Sequence, residues 1–125
     1  MKHLEINSAH FNWLLGNFKE WLDIIGYAER TVEGSPVQIR ELLNHLEQKN
    51  IRHITLVKAR HISDFLRHLK LRSNLKHGGA LSASSINSYI TALNLFARYL
   101  NQTGKHILDI NPRQVENDVN ERTVL

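Results

Sequence analysis

Eight histidines, a Ser84-Ser85 pair, three tyrosines and a spaced line of amide and hydroxyl side chains are the groups in this 125-residue chain that can do chemistry. Histidines bind metal when they recur at i, i+4 on a helix or join a tight Cys/His cluster. His45, His53, His61 and His68 stand seven or eight residues apart, with no HxxxH or HExxH, and the chain has no cysteine. No metal is expected, and the histidines read as solvated or phosphate-facing. Neither Ser84-Ser85 nor Tyr99 has the base and orienter that would activate a nucleophile. There is no GxxxxGKS/T or GxGxxG pattern to cradle a nucleotide. The expectation is a domain with no catalytic residue and no cofactor.

The spaced line is Asn87, Thr91, Asn94 and Arg98, which repeats at three and four residues and so occupies one face of a helix. Amides and hydroxyls on an exposed face can read base edges or hold phosphates, and they can also be a plain solvated surface. Charge favours a polyanion. The net charge is +4, and between Lys49 and His77 eight cations (Lys49, Arg52, Lys58, Arg60, Arg67, Lys70, Arg72 and Lys76) face one acid, Asp64. Each phosphate that such a segment neutralises releases a condensed counterion.

These residues need elements to carry them. The clearest is the helix Leu81 to Gly104, capped by Ser82, Ser84 or Ser85 and ended by Gly104. Ile86, Ile90, Leu93, Ala97 and Leu100, widened by Tyr89 and Phe96, form its inner stripe. A first helix is expected from Ser8 to Ile25, with Gly26 as its C′ residue and Phe11, Leu14, Leu15, Phe18, Trp21, Leu22 and Ile25 turned inward, after an extended or disordered lead. A second starts at Ser35-Pro36, or earlier at Thr31, and runs to Lys49 or Asn50 on Ile39, Leu42, Leu43 and Leu46. A connector follows, with Ile51, Ile54 and Leu56 hinting at an unpartnered strand. A third helix spans Lys58 to Arg72 on Ile62, Phe65, Leu66 and Leu69, and a Gly78-Gly79 loop precedes the last. Beyond Gly104 lie a short apolar patch, an Asn111-Pro112 step and a short helix from Pro112. The fold class is all-α, a bundle of four to five helices.

At this length the chain builds one domain with a real core. No apolar run approaches the roughly 20 residues that cross a bilayer, and the N-terminus lacks a secretory pattern. A soluble, cytoplasmic protein with no membrane partner is expected.

The order of signals resembles a known family. GYAERT follows an aromatic-rich first helix; HISDFLRHL forms the third; a Gly-containing loop leads to SASSINSYITALNLFARYLNQTG and then to Ile110-Asn111-Pro112. From Phe11 to Pro112 this is similar to the N-terminal core-binding domain of tyrosine recombinases, the phage-type integrases, also called the SAM-like integrase N-terminal domain. The resemblance implies an orthogonal helical bundle that forms half of a clamp around double-stranded DNA. It implies a core-binding domain over residues 1–110 and, over 111–125, the start of a linker towards a catalytic domain that this chain does not carry. It points to Thr31, Gln38 and Arg40 around the second helix as DNA contacts, and to Ser85, Asn87, Ser88, Thr91 and Asn94 on the last. Asn87 and Ser88 are uncharged where many relatives carry Arg or Lys, so the phosphate contacts fall to Lys58, Arg60, Arg72 and Lys76. The full-length parent would act as a homo-tetramer on DNA in integration and recombination; the domain alone would be monomeric. The alternative is a helical interaction module, with Leu95, Leu100 and the tail docking to a neighbouring subunit.

Overall fold

The computed structural model describes residues 5–77 and 83–108, with side chains over 5–71 and 86–108. Its elements are α1 (Ala9–Ile25), α2 (Glu29–Gln48), a 3₁₀ turn over Ile54–Leu56, α3 (Ala59–His77) and α4 (Ala83–Gln102). The fold is all-α, and the described residues include no strand.

α1 forms where its signals place it. The Ser8 hydroxyl accepts the Phe11 amide at 3.2 Å, and Gly26 closes the helix at φ 101°, a conformation glycine takes without a Cβ clash. The described part of the lead, residues 5–7, is docked rather than loose. Ile6 is buried, and the Glu47 carboxylate accepts the Asn7 amide at 2.7 Å and the Ser8 amide at 3.2 Å. That carboxylate lies at the positive end of the α1 dipole.

α2 departs from the Ser35-Pro36 start and comes within two residues of the earlier one at Thr31. It begins at Glu29, six residues before Ser35-Pro36, so that Gly34 and Pro36 lie inside it. Val32, Ser35 and Pro36 are buried there. Glu29 in the first turn suits the helix dipole, and that burial helps to offset the backbone bond proline cannot donate. At the other end Asn50 takes the left-handed conformation, φ 64°. The connector folds as a 3₁₀ turn that buries Ile54 and Val57 and leaves Leu56 exposed.

α3 buries Ile62, Phe65, Leu66 and Leu69 as expected, and continues five residues past Arg72 to His77. α4 starts at Ala83, which places Ser84 and Ser85 inside its first turn; Ser82, the Gly78-Gly79 loop and residues 109–125 lie outside the described residues. Gly104 ends α4 in the left-handed conformation, φ 69°. The helix is inward-facing over a wider arc than its period indicates: Ala92, Leu95 and Tyr99 join Ile90, Leu93, Phe96 and Leu100 in the core. Leu100 is fully buried, which removes it from any docking surface, and Leu95 is nearly so. On α1, Ile25 is exposed rather than inward, because its side chain falls at the helix end beyond the packed stripe.

The core is knit by aromatic contacts. Phe18 meets Phe96 edge-on at 5.2 Å, and Phe65 meets Tyr89 at 6.0 Å. Each such pair adds about 0.5–1.5 kcal/mol beyond the area it buries. Tyr99 is a core residue, 1% exposed, with the Lys105 ammonium 4.9 Å from its ring centroid. No helix among the described residues is long and apolar enough to cross a membrane.

Candidate nucleic-acid interface

Three hydrogen bonds tie α2 and the turn before it to α4. The Arg98 Nη1 donates to the Tyr27 hydroxyl at 3.0 Å, Gln38 Nε2 donates to Ser88 Oγ at 2.9 Å, and the Tyr89 hydroxyl donates to Glu41 Oε2 at 2.5 Å. Tyr27, ahead of α2, pairs far along α4 at Arg98, whereas Gln38 and Glu41 within α2 pair near the start of α4 at Ser88 and Tyr89, so the two helices run in opposite senses. A groove of about 650 Å³ lies between them, lined by Tyr27, Arg30, Thr31, Val37, Gln38, Ser88, Thr91 and Leu95, with Gly34 and Ser35 at its floor.

Helical spacing sets this lining. Thr31 and Gln38 are seven residues, close to two turns, apart and share a face of α2; Ser88 and Thr91 are one turn apart on α4. Thr91 is exposed, and its hydroxyl donates to the Asn87 carbonyl at 2.9 Å. That bond fixes the Thr91 rotamer and leaves its oxygen lone pairs to accept. Asn87 and Asn94 are exposed on the same stripe of α4. Gln38, half-buried, has one N–H committed to Ser88 and keeps its carbonyl oxygen and second N–H. The groove thus offers donors and acceptors in one cleft, together with the Arg30 cation and, among its described lining residues, no carboxylate.

The other expected contacts lie elsewhere or outside the described side chains. Arg40 is two residues past Gln38, about 200° round the helix and so on the opposite side, and faces α1 in a cleft with Asn12, Lys19 and Glu33. Lys58 and Arg60 are exposed at the start of α3, where the Lys58 amide donates to His61 Nδ1 at 2.9 Å. The neighbouring Val57 carbonyl pairs with His106 Nε2 at 3.0 Å, beyond the C-terminal end of α4. Ser88 sits near the opposite end, about 20 Å away along the helix. Arg72, Lys76 and Ser85 lie on described helical backbone, but their side chains are outside the description.

Arg30 and the Tyr27–Arg98 bond carry little local sequence signal. Arg30 adjoins Thr31 and lies ahead of both starts that the sequence suggests for α2, Thr31 and Ser35. The bond joins residues 71 apart in sequence, and no local pattern signals it.

The histidines gather in pairs away from the groove. His10 stacks on His53, centroids 3.9 Å apart and 6° from parallel, and His45 lies 5.1 Å from His68. Burial lowers the pKa of His10, with His53 adding to it. Burial likewise lowers His45, with His68 and Lys49 contributing. Among the described residues, no three His, Cys, Asp or Glu side chains gather as metal ligands.

Comparison with known proteins identifies the domain. The family model for the phage integrase N-terminal SAM-like domain matches residues 14–103, well over half of the chain, covering α2, α3 and α4 and most of α1. No curated protein and no solved structure matches it.

Proposed function

This chain belongs to the phage integrase N-terminal SAM-like domain family, and from that premise we propose that it binds duplex DNA through the α2–α4 groove, as the non-catalytic part of a site-specific tyrosine recombinase. The juxtaposition of Thr31, Gln38, Ser88 and Thr91 beside Arg30, in a cleft lined by no described carboxylate, carries the reading. Amides and hydroxyls match the mixed donors and acceptors of the major groove, and a cation matches the phosphates that flank it. In this reading Asn87 and Asn94 extend the contact along α4. Lys58, Arg60, Arg72 and Lys76 contribute the sequence-independent attraction of a basic α3. Strand cleavage belongs to a separate domain of the recombinase, joined through residues 111–125, and the parent assembles as a tetramer on paired sites.

Fluorescence anisotropy with labelled duplexes at graded salt tests this. The log of the association constant should fall linearly with log salt, at a slope of about −0.9 per phosphate contacted. Thr91→Ala and Gln38→Ala should change the ranking of duplex sequences more than the mean affinity. A domain whose duplex affinity is absent, or flat with salt, would refute the proposal and leave subunit assembly as the reading.

A further inference from the structure

Tyr27 borders two grooves, the one shared with α4 and a second between α1 and α2. Its ring is half-buried against Trp21, centroids 6.0 Å apart. Its hydroxyl accepts one N–H of Arg98 at 3.0 Å. Arg98 is exposed, and no carboxylate pairs with it among the described residues. The partner that holds it is therefore neutral, and the guanidinium keeps its whole charge. One of its five N–H donors is committed and four remain for a ligand.

Anchoring matters because a free arginine loses side-chain entropy when it binds. An arginine already held in the free protein loses less. Position indicates what it would meet. Arg98 lies on the same stripe of α4 as Thr91 and seven residues further on, about 10 Å along the axis, and it is not among the residues lining the groove. The DNA major groove is about 12 Å wide. A side chain that far from the base-facing hydroxyls stands over the phosphate ridge.

We propose that Arg98 is a preorganised phosphate-binding residue at the rim of the α2–α4 groove, and that Tyr27 is its positioning residue. This rests on the duplex-DNA reading above. The test is a salt series on two duplexes of unrelated sequence, with wild type, Arg98→Ala, Arg98→Gln, Arg98→Lys, Tyr27→Phe and the Tyr27→Phe/Arg98→Ala double variant, each first checked for the wild-type helical signal and melting curve. Arg98→Ala should weaken both duplexes alike, about tenfold at low salt, and reduce the log–log slope by about 1. Arg98→Gln, which keeps a polar side chain without the charge, should lose the same slope, and Arg98→Lys should keep it. Tyr27→Phe should keep the slope, weaken binding about threefold, and cost nothing further once Arg98 is alanine.

An unchanged slope in both Arg98→Ala and Arg98→Gln overturns the phosphate role. A loss confined to one duplex makes Arg98 a base reader and overturns it too. An equal Tyr27→Phe cost with and without Arg98 reduces the tyrosine to packing. Wild type that fails to bind either duplex sinks the reading of the groove itself, which separates that failure from the others.

Discussion

α2 has a groove on each flank, and the two are opposite in character. The α4 side holds Arg30, two threonines, a glutamine and two serines, with no carboxylate among its described lining residues. The α1 side, a cleft of about 590 Å³, is lined by Glu20, Asp23, Glu29 and Glu33 with one cation, Lys19. Lys19 is itself engaged by Glu33 at 3.3 Å. A polyanion approaching α2 is attracted on one flank and repelled on the other, so under the duplex-DNA proposal the pair of grooves selects which face would turn to DNA. Helical period alone makes this separation possible. Arg30 and Glu29 are adjacent in sequence yet point about 100° apart.

The comparison breaks most completely if the scaffold fails. Phe18 is fully buried against Phe96, Tyr99 and Trp21, at the point where α1 packs on α4. Phe18→Ala should cost about 3–5 kcal/mol, a large share of a small domain's stability. Chemical denaturation should show the midpoint collapse, and duplex binding should vanish with the fold. A loss below about 1 kcal/mol would mean that α1 does not brace the grooves.

Charge reversal tests the two flanks directly. Arg30→Glu should weaken duplex binding at least tenfold at low salt, or about 1.4 kcal/mol, and flatten the salt dependence. Glu29→Gln, on the other flank, should change affinity less than twofold. Equal effects from the two would show that net charge alone governs binding and that the flanks are equivalent.

How far the sequence foretold this arrangement varies by element. α1 was legible because Ser8, Gly26 and a dense apolar stripe agree with one another. The exposed line Asn87, Thr91, Asn94 and Arg98 was legible because period alone places it. The start of α2 was not, because Gly34 and Pro36 are local breakers, whereas the burial of Val32, Ser35 and Pro36 is a tertiary effect that outweighs them. The same error hid Arg30. The cleft itself was illegible, since Gln38 and Ser88 are fifty residues apart and meet only through packing. The cationic α3 segment was plain in composition, yet its exposed leading residues, Lys58 and Arg60, stand by the far end of α4 rather than at the cleft.

Protons separate scaffold from grooves. His10, His45 and His61 all have pKa values held below the ordinary 6.5, chiefly by burial, and none of them lines either groove. As pH falls through 6.5 the unfolded chain takes up protons that the folded chain resists, so unfolding gains and stability declines. Neutral His61 also accepts the Lys58 amide through Nδ1, a bond that protonation removes. Thermal melts should therefore show a lower midpoint at pH 5.5 than at pH 7.5 on the order of the scale set by those histidines. His61→Asn, which keeps a polar acceptor without titrating, should flatten that dependence. A midpoint that rises on acidification would contradict the sign.

The smallest effect gives the sharpest discrimination. Lys19 is half-exposed, as is its partner Glu33, so the ion pair is solvated and screened, and Lys19→Ala should cost no more than about 0.5 kcal/mol. Lys19 is also the only cation among the described residues that line the acidic cleft. If DNA lies against α4, removing this lysine leaves the salt slope as it was, because no phosphate reaches it. If DNA instead spans α1 and α2, Lys19 is the cation there best placed to meet a phosphate, and its loss should reduce the slope by about 1. A stability change too small to disturb the fold thus leaves the slope free to report which flank of α2 the duplex touches.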